Sequence, residues 1–236
     1  MGIEKIQNEL RAAAKKEKIK IYQNFHKTSN DGYAQGEIFL GVTVPDIRKV
    51  ALSNLNISDE EIIKLLASII HEEKYVAAEI ISGKYSTTRD EKEKRKIFDF
   101  YISIAGKLTG WDLVDTTASQ VVGRYIYTYS NDYSILNKLA HGNLWERRVA
   151  IIATWYLIKN KKYEQTLKIS EILLFDNHDL IHKAVGWMLR EVGKNDEKTL
   201  VDFLAKRYKK MPRTMLRYAI EKFDAETRKK YLNGEL

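Results

Sequence analysis

Only two prolines, Pro45 and Pro212, interrupt a chain of 236 residues, together with 12 glycines. Proline removes a backbone donor and glycine adds conformational freedom, so each weakens a helix interior. A chain this poor in breakers can run as helix almost from end to end. Apolar residues do recur with helical period through most of it. The expectation is an all-α protein, and the 44% apolar content is enough to pack it. A single domain over 1–236 is expected. Cysteine is absent, which excludes disulfides, thiolate catalysis and cysteine zinc sites. The start, Met1-Gly2-Ile3-Glu4-Lys5, has no apolar signal core. No apolar run reaches the ~18 residues of a membrane span. A cytoplasmic protein with no membrane partner is the expectation.

The pattern predicts one amphipathic, Lys-rich helix over 2–26, then a loop over 27–42 containing Gly32, Gly36 and Gly41. Pro45 suits the first turn of a helix beginning near Thr43. Ser58-x-x-Glu61 reads as a capping box before Ile62, Ile63, Leu65 and Leu66. Further helices are expected over 73–84, 88–106, 110–123, 132–140, 144–159, 162–175, 179–193, 196–210, 212–222 and 225–233. Asp132, Asp179 and Asp224 stand near helix starts and are candidate caps. The run Arg124 to Tyr129 has strand propensity but, alone between helices, reads as a helix end or loop.

The pairs over 110–140, 144–175 and 179–210 have similar lengths, which is a repeat signal. Three residue groups keep the same beat: Trp111 with Asp115, then Arg148, then Trp187, at spacings of 37 and 39. HEAT-type solenoids repeat every ~40–47 residues, which sets equivalent positions side by side on one face. The predicted fold is therefore an all-α, HEAT-like helical-repeat solenoid with a concave basic face. A compact helical bundle is the structural alternative. The net charge is +8, and between Lys183 and Lys230 there are 14 Lys and Arg against 7 Asp and Glu. That asymmetry suggests a polyanionic partner. A solubilising lysine-rich surface would give the same count.

On a helical wheel Asp115 falls about 40° from Trp111, one turn along the same strip. A carboxylate beside apolar surface needs a partner or a function. Asp112 reads instead as part of a capping box with Thr109. Arg148 sits near the centre of the apolar arc of its helix, where a guanidinium must find an anion, either Asp115 or a phosphate. A structural bridge between helices satisfies the same requirement. Arg147 lies off that arc and could also reach phosphate. Trp187 stands on a charged face with Lys183, Arg190 and Glu191 one turn away, where its ring could attract a cation. Packing under a neighbouring helix is the alternative. The five histidines show no metal-ligand spacing, and no metal or other cofactor is expected. Arg213 and Arg217 share a face of the helix that follows Pro212 and could meet phosphate. A solvated basic helix explains them as well.

Gly110-Trp111-Asp112-Leu113-Val114-Asp115, Leu144-Trp145-Glu146-Arg147-Arg148-Val149-Ala150 and His182-Lys183-Ala184-Val185-Gly186-Trp187-Met188-Leu189-Arg190-Glu191 resemble the AlkD-like DNA alkylation repair family. Phe39-Leu40-Gly41-Val42 with Pro45-Asp46-Ile47-Arg48 resembles its N-terminal segment. The likeness covers roughly 20–233, in the family's order. It implies HEAT-like repeats with a concave basic face for duplex DNA. It also implies a monomeric, monofunctional N-glycosylase of base excision repair, acting on cationic alkylated purines such as 3-methyladenine and 7-methylguanine. By the resemblance Trp111, Asp115 and Trp187 contact the deoxyribose and Arg148 the phosphate. The family does not need to flip the base into a pocket. A further family aromatic precedes the Phe-Leu-Gly segment, and the spacing leaves open whether Tyr33 is its counterpart. The alternative function is a non-catalytic helical-repeat scaffold for nucleic acid or protein.

Overall fold

The computed structural model describes residues 2–28 and 32–236. Met1 and residues 29–31 of the expected loop lie outside the described residues. Fourteen α-helices run through the described residues, with no named strand. No described helix is long and apolar enough to cross a membrane. The chain divides into two compact units, Met1–Thr117 and Ala118–Leu236.

The first unit contains α1 (Gly2–Ala12), α2 (Lys16–His26), α3 (Val44–Leu52), α4 (Asp59–Leu66), α5 (His71–Thr87) and α6 (Glu91–Ile104). Most of α7 (Trp111–Ala118) also belongs to it. The single helix expected over 2–26 is two helices. The break falls at Lys15, whose backbone is extended and whose carbonyl lies hard against Gly41. Gly41 has φ +82°, and a Cβ there would fall 2.1 Å from that carbonyl oxygen. Its left-handed turn also fans three successive amides, those of Leu40, Gly41 and Val42, onto the buried carboxylate of Glu72. The Phe-Leu-Gly-Val segment is thereby fastened to α5, the helix against which α1, α3, α4 and α6 pack.

The cap at Ser58 forms as expected, with Ser58 and Glu61 exchanging side-chain and backbone bonds. Pro45 lies in the first turn of α3. Asp224 caps its helix through the amide of Thr227, whereas the cap expected of Asp179 is made by His178.

The second unit contains α8 (Ser134–Ala140), α9 (Leu144–Lys159), α10 (Glu164–Ile172), α11 (Asp179–Asn195), α12 (Glu197–Ala205), α13 (Arg213–Ala219) and α14 (Ala225–Asn233). Residues 119–130 are largely π-helical, in the segments Ser119–Gly123 and Ile126–Ser130, so the aromatic run after Arg124 is helical rather than extended. The π segment at Ser119–Gly123, α9, α11 and α13 pack in succession, while α8, α10 and α12 pack behind them. Alternate helices thus form two layers, as in a helical-repeat protein. Two glycines permit the closest approaches. A Cβ on Gly123 would fall 2.1 Å from the Ala153 carbonyl, and one on Gly186 would fall 2.5 Å from that of Met215.

Candidate active site

Trp111 opens α7 and is half-buried. Its indole Nε1 donates to the Tyr33 hydroxyl at 2.9 Å. Tyr33 is thus one of the aromatic residues that touch Trp111, a contact that its loop position leaves open in the sequence. His26 stacks on the indole with centroids 5.3 Å apart and planes 17° from parallel. Phe25 meets the ring edge-on at 5.3 Å and remains 63% exposed. Asp115 lies one turn further along α7 and is half-buried. Trp111 and Asp115 line the same cavity of about 240 Å³, together with Tyr22, Phe39 and Tyr75. Burial first, and then the charge of Asp115, pushes the hydroxyl of Tyr101 well above the ordinary phenol range. That hydroxyl is hydrogen-bonded to Thr117 at 2.8 Å and acts as a neutral neighbour.

Asp112 does not cap α7. Its Oδ2 lies 2.8 Å from His71 Nε2, and the other His71 nitrogen lies 2.7 Å from Glu37. Lys74 closes the row on Glu37 at 2.6 Å. Thr109, the expected partner of the cap, instead accepts from Lys74. Burial alone would favour neutral His71, but Asp112 and Glu37 outweigh it and lift its pKa to about 9. Burial would likewise raise Asp112, yet His71 holds it below the usual carboxylate value. His26 goes the other way: burial lowers its pKa despite the carboxylate of Asp112, 3.7 Å away. The result is a protonated imidazole between two carboxylates and a neutral imidazole under the indole. One ligand atom each from His26, His71 and Asp112 lies within 4.8 Å of the others, so these residues could hold a metal ion if His71 gave up its Nε2 proton. This grouping joins positions far apart in sequence, so no short-range spacing could reveal it.

The remaining expected residues lie in the second unit. Arg148 is 4% exposed, and its Nη1 donates to the Leu180 carbonyl at 2.5 Å, which ties α9 to the first turn of α11. Arg147 pairs with Asp176 at 2.6 Å and donates to the Gly142 carbonyl. Trp187 is half-buried on α11 and packs against Trp155 at 5.2 Å, an aromatic partner that the sequence shows only as part of an apolar arc. Lys159 lies 4.0 Å over the Trp155 ring. Lys183 pairs with Asp179, and Arg190 is held by Glu191 and Glu221. Arg213 donates to the Leu232 carbonyl, and Arg217 is exposed on the same helix.

The sequence matches the model of a family described as DNA alkylation repair enzyme over residues 6–223. Among solved structures, the chain is similar to one described as "Predicted DNA alkylation repair enzyme from Enterococcus faecalis". Identity is 16%, the TM-score is 0.70, and the match covers 90% of this chain and 97% of that one. At this identity the likeness shows the fold alone. No curated protein matches the sequence.

Proposed function

We propose that this chain, which belongs to the DNA alkylation repair enzyme family, is a monofunctional DNA N-glycosylase. Family membership gives it a role in the repair of alkylated DNA. The finer reading is that it frees cationic purines such as 3-methyladenine and 7-methylguanine from duplex DNA. The observation that carries it is the pairing of Trp111 with Asp115, one helical turn apart on the wall of one cavity.

The chemistry suits a single carboxylate. An alkylated purine is already positively charged, so its glycosidic electron pair is readily withdrawn into the ring. The leaving group then needs no general acid. As the C1′–N bond breaks, charge moves to the sugar in an oxocarbenium-like transition state. Asp115 stabilises that cation and orients water toward C1′, which gains the hydroxyl while the water's second proton is lost. Trp111 offers a π face to the same charge, the part that the resemblance gives Trp187 as well. In this reading Lys183, Arg213 and Arg217 meet backbone phosphates, with Arg147, Arg148 and Arg190 supporting or joining them.

The test is incubation with methylated duplex DNA, followed by separate detection of free base and abasic sites. Release of 7-methylguanine with a matching number of abasic sites supports the reading. Duplex binding without release of base would make the chain a helical-repeat binding protein.

A further inference from the structure

Two imidazoles and a carboxylate meet from three different helices. His26 ends α2, His71 begins α5, and Asp112 lies in the first turn of α7. Hydrogen bonding accounts for only part of the meeting. His71 Nε2 and Asp112 Oδ2 lie 2.8 Å apart, a normal hydrogen bond. His26 Nε2 and Asp112 Oδ2 lie 3.7 Å apart, too far for one. Among the described residues, neither His26 Nδ1 nor Asp112 Oδ1 has a hydrogen-bond partner, although both atoms are buried. His26 as a whole is only 6% exposed. Buried polar atoms are normally satisfied, so a pair left over at one place points to a missing partner.

The atom types and spacings fit a metal ion. Two donors bound to one tetrahedral zinc at ~2.0–2.1 Å lie about 3.3 Å from each other. The His26–Asp112 distance exceeds that by about 0.4 Å and the His71–Asp112 distance falls short by about 0.5 Å, so small side-chain rotations bring the donors into place. Glu37 takes the other His71 nitrogen at 2.7 Å, the arrangement by which a carboxylate orients a metal-binding imidazole. Lys74 in turn holds Glu37. Imidazole with carboxylate suits zinc, whereas magnesium and calcium prefer shells made of oxygen. We propose that His26, His71 and Asp112 form a binding site for one Zn²⁺ ion. His71 releases its Nε2 proton to solvent as the ion binds, and its Nδ1 proton stays on the side of Glu37. The exchange adds one positive charge to a set in which Asp112 and Glu37 otherwise offset His71 and Lys74. Three protein donors leave a fourth position for water, which enters from the cavity that all three residues line. The ion ties α2, α5 and α7 together and fixes the imidazole that stacks on Trp111. It takes no part in breaking the glycosidic bond, and the site does not rest on the glycosylase reading.

The test is calorimetric titration of Zn²⁺ into the full chain after dialysis against a chelator. One ion per chain should bind at this site. Zinc at a hundred times its dissociation constant should raise the unfolding temperature by about 5–10 °C, whereas Mg²⁺ should not. His26→Phe keeps a flat ring against Trp111 and removes one donor. It should weaken zinc binding by more than about tenfold, and Glu37→Gln, which leaves all three donors, by about 10–100-fold. Thermal unfolding without zinc reports whether each variant folds, and either folded variant suffices. The rival place for zinc is the pair His178 and His182 at the start of α11, one turn apart. Changing both to Gln should leave the affinity as in wild type. No zinc binding by wild type overturns the site. So does binding that survives in folded His26→Phe or Glu37→Gln, or that is lost when His178 and His182 are changed.

Discussion

His71 Nε2 and Asp112 Oδ2 lie 2.8 Å apart across 41 residues of sequence, and Glu37 holds the opposite nitrogen of the same imidazole. A base whose pKa is higher in the folded state than in the unfolded chain stabilises the fold while it stays protonated. His71 rises from 6.5 to about 9. Its contribution is fully present below pH 6.5 and disappears as pH rises through about 9. His71→Gln leaves Asp112 buried without its cation, while Glu37 keeps Lys74, and should destabilise by about 3–5 kcal/mol near neutrality. The gap between variant and wild type, measured by urea unfolding, should shrink between roughly pH 6.5 and 9.5. A gap that stays constant with pH would mean that His71 is not held protonated.

The two acids of α7 should separate by phenotype. Asp115→Asn should lower 7-methylguanine release by roughly 10²–10³, the scale of one electrostatic stabiliser of a transition state. DNA binding should hold or strengthen, because a carboxylate facing phosphates is repulsive. Asp112→Asn is not the mild cap mutation that the sequence suggests, because it removes an anion from buried His71. It should lose several kcal/mol of stability, as for any broken buried pair. A stable but inactive Asp112→Asn beside an active Asp115→Asn would show that the catalytic acid has been misassigned.

Helix positions are legible in the sequence because they depend on local signals. The periodicity over 144–159, the Ser58 box and Pro45 all act within a turn or two of their own helix. The first turn of α5 shows why part of the site is not legible. His71, Glu72, Glu73 and Lys74 form a polar run without apolar period, and the expected helix begins only at 73. All four are buried. Each is paired with a distant partner: Asp112 and Glu37, the amides around Gly41, Gln7, and Glu37 again. A solvated run and a buried relay have the same letters. Trp111 and Asp115 are visible because one turn of one helix joins them. His26 under the indole is not, since 85 positions separate the two rings.

Gly186 sits one residue before Trp187, at the closest approach of α11 to α13. Gly186→Ala would set a methyl 2.5 Å from both the Met215 carbonyl and the Tyr218 Cβ. Backbone on α13 cannot yield as a side chain could, so the helices must separate. Overpacking of this kind destabilises by typically ~1–3 kcal/mol, against the ~1 kcal/mol that alanine would gain in a free helix. A net loss in thermal stability is the expected result. If Gly186→Ala proves as stable as wild type, α11 and α13 are not in such close contact.

Duplex binding should weaken steeply with salt, because each phosphate neutralised by lysine or arginine releases condensed counterions. About six to ten such contacts would lower affinity by about 10³–10⁵ between roughly 50 and 200 mM salt. The arginines should not contribute equally. Arg217 is exposed, whereas Arg190 is already held by Glu191 and Glu221. Arg217→Ala should flatten the plot of log affinity against log salt by about 0.9, the value for one phosphate contact. Arg190→Ala should change the slope less, because its charge is largely spent within the protein. Fluorescence anisotropy with one duplex at several salt concentrations measures both. A slope unchanged by Arg217→Ala would leave α13 as a solvated basic helix. A larger change for Arg190 than for Arg217 would mean that its carboxylate partners release it to the DNA.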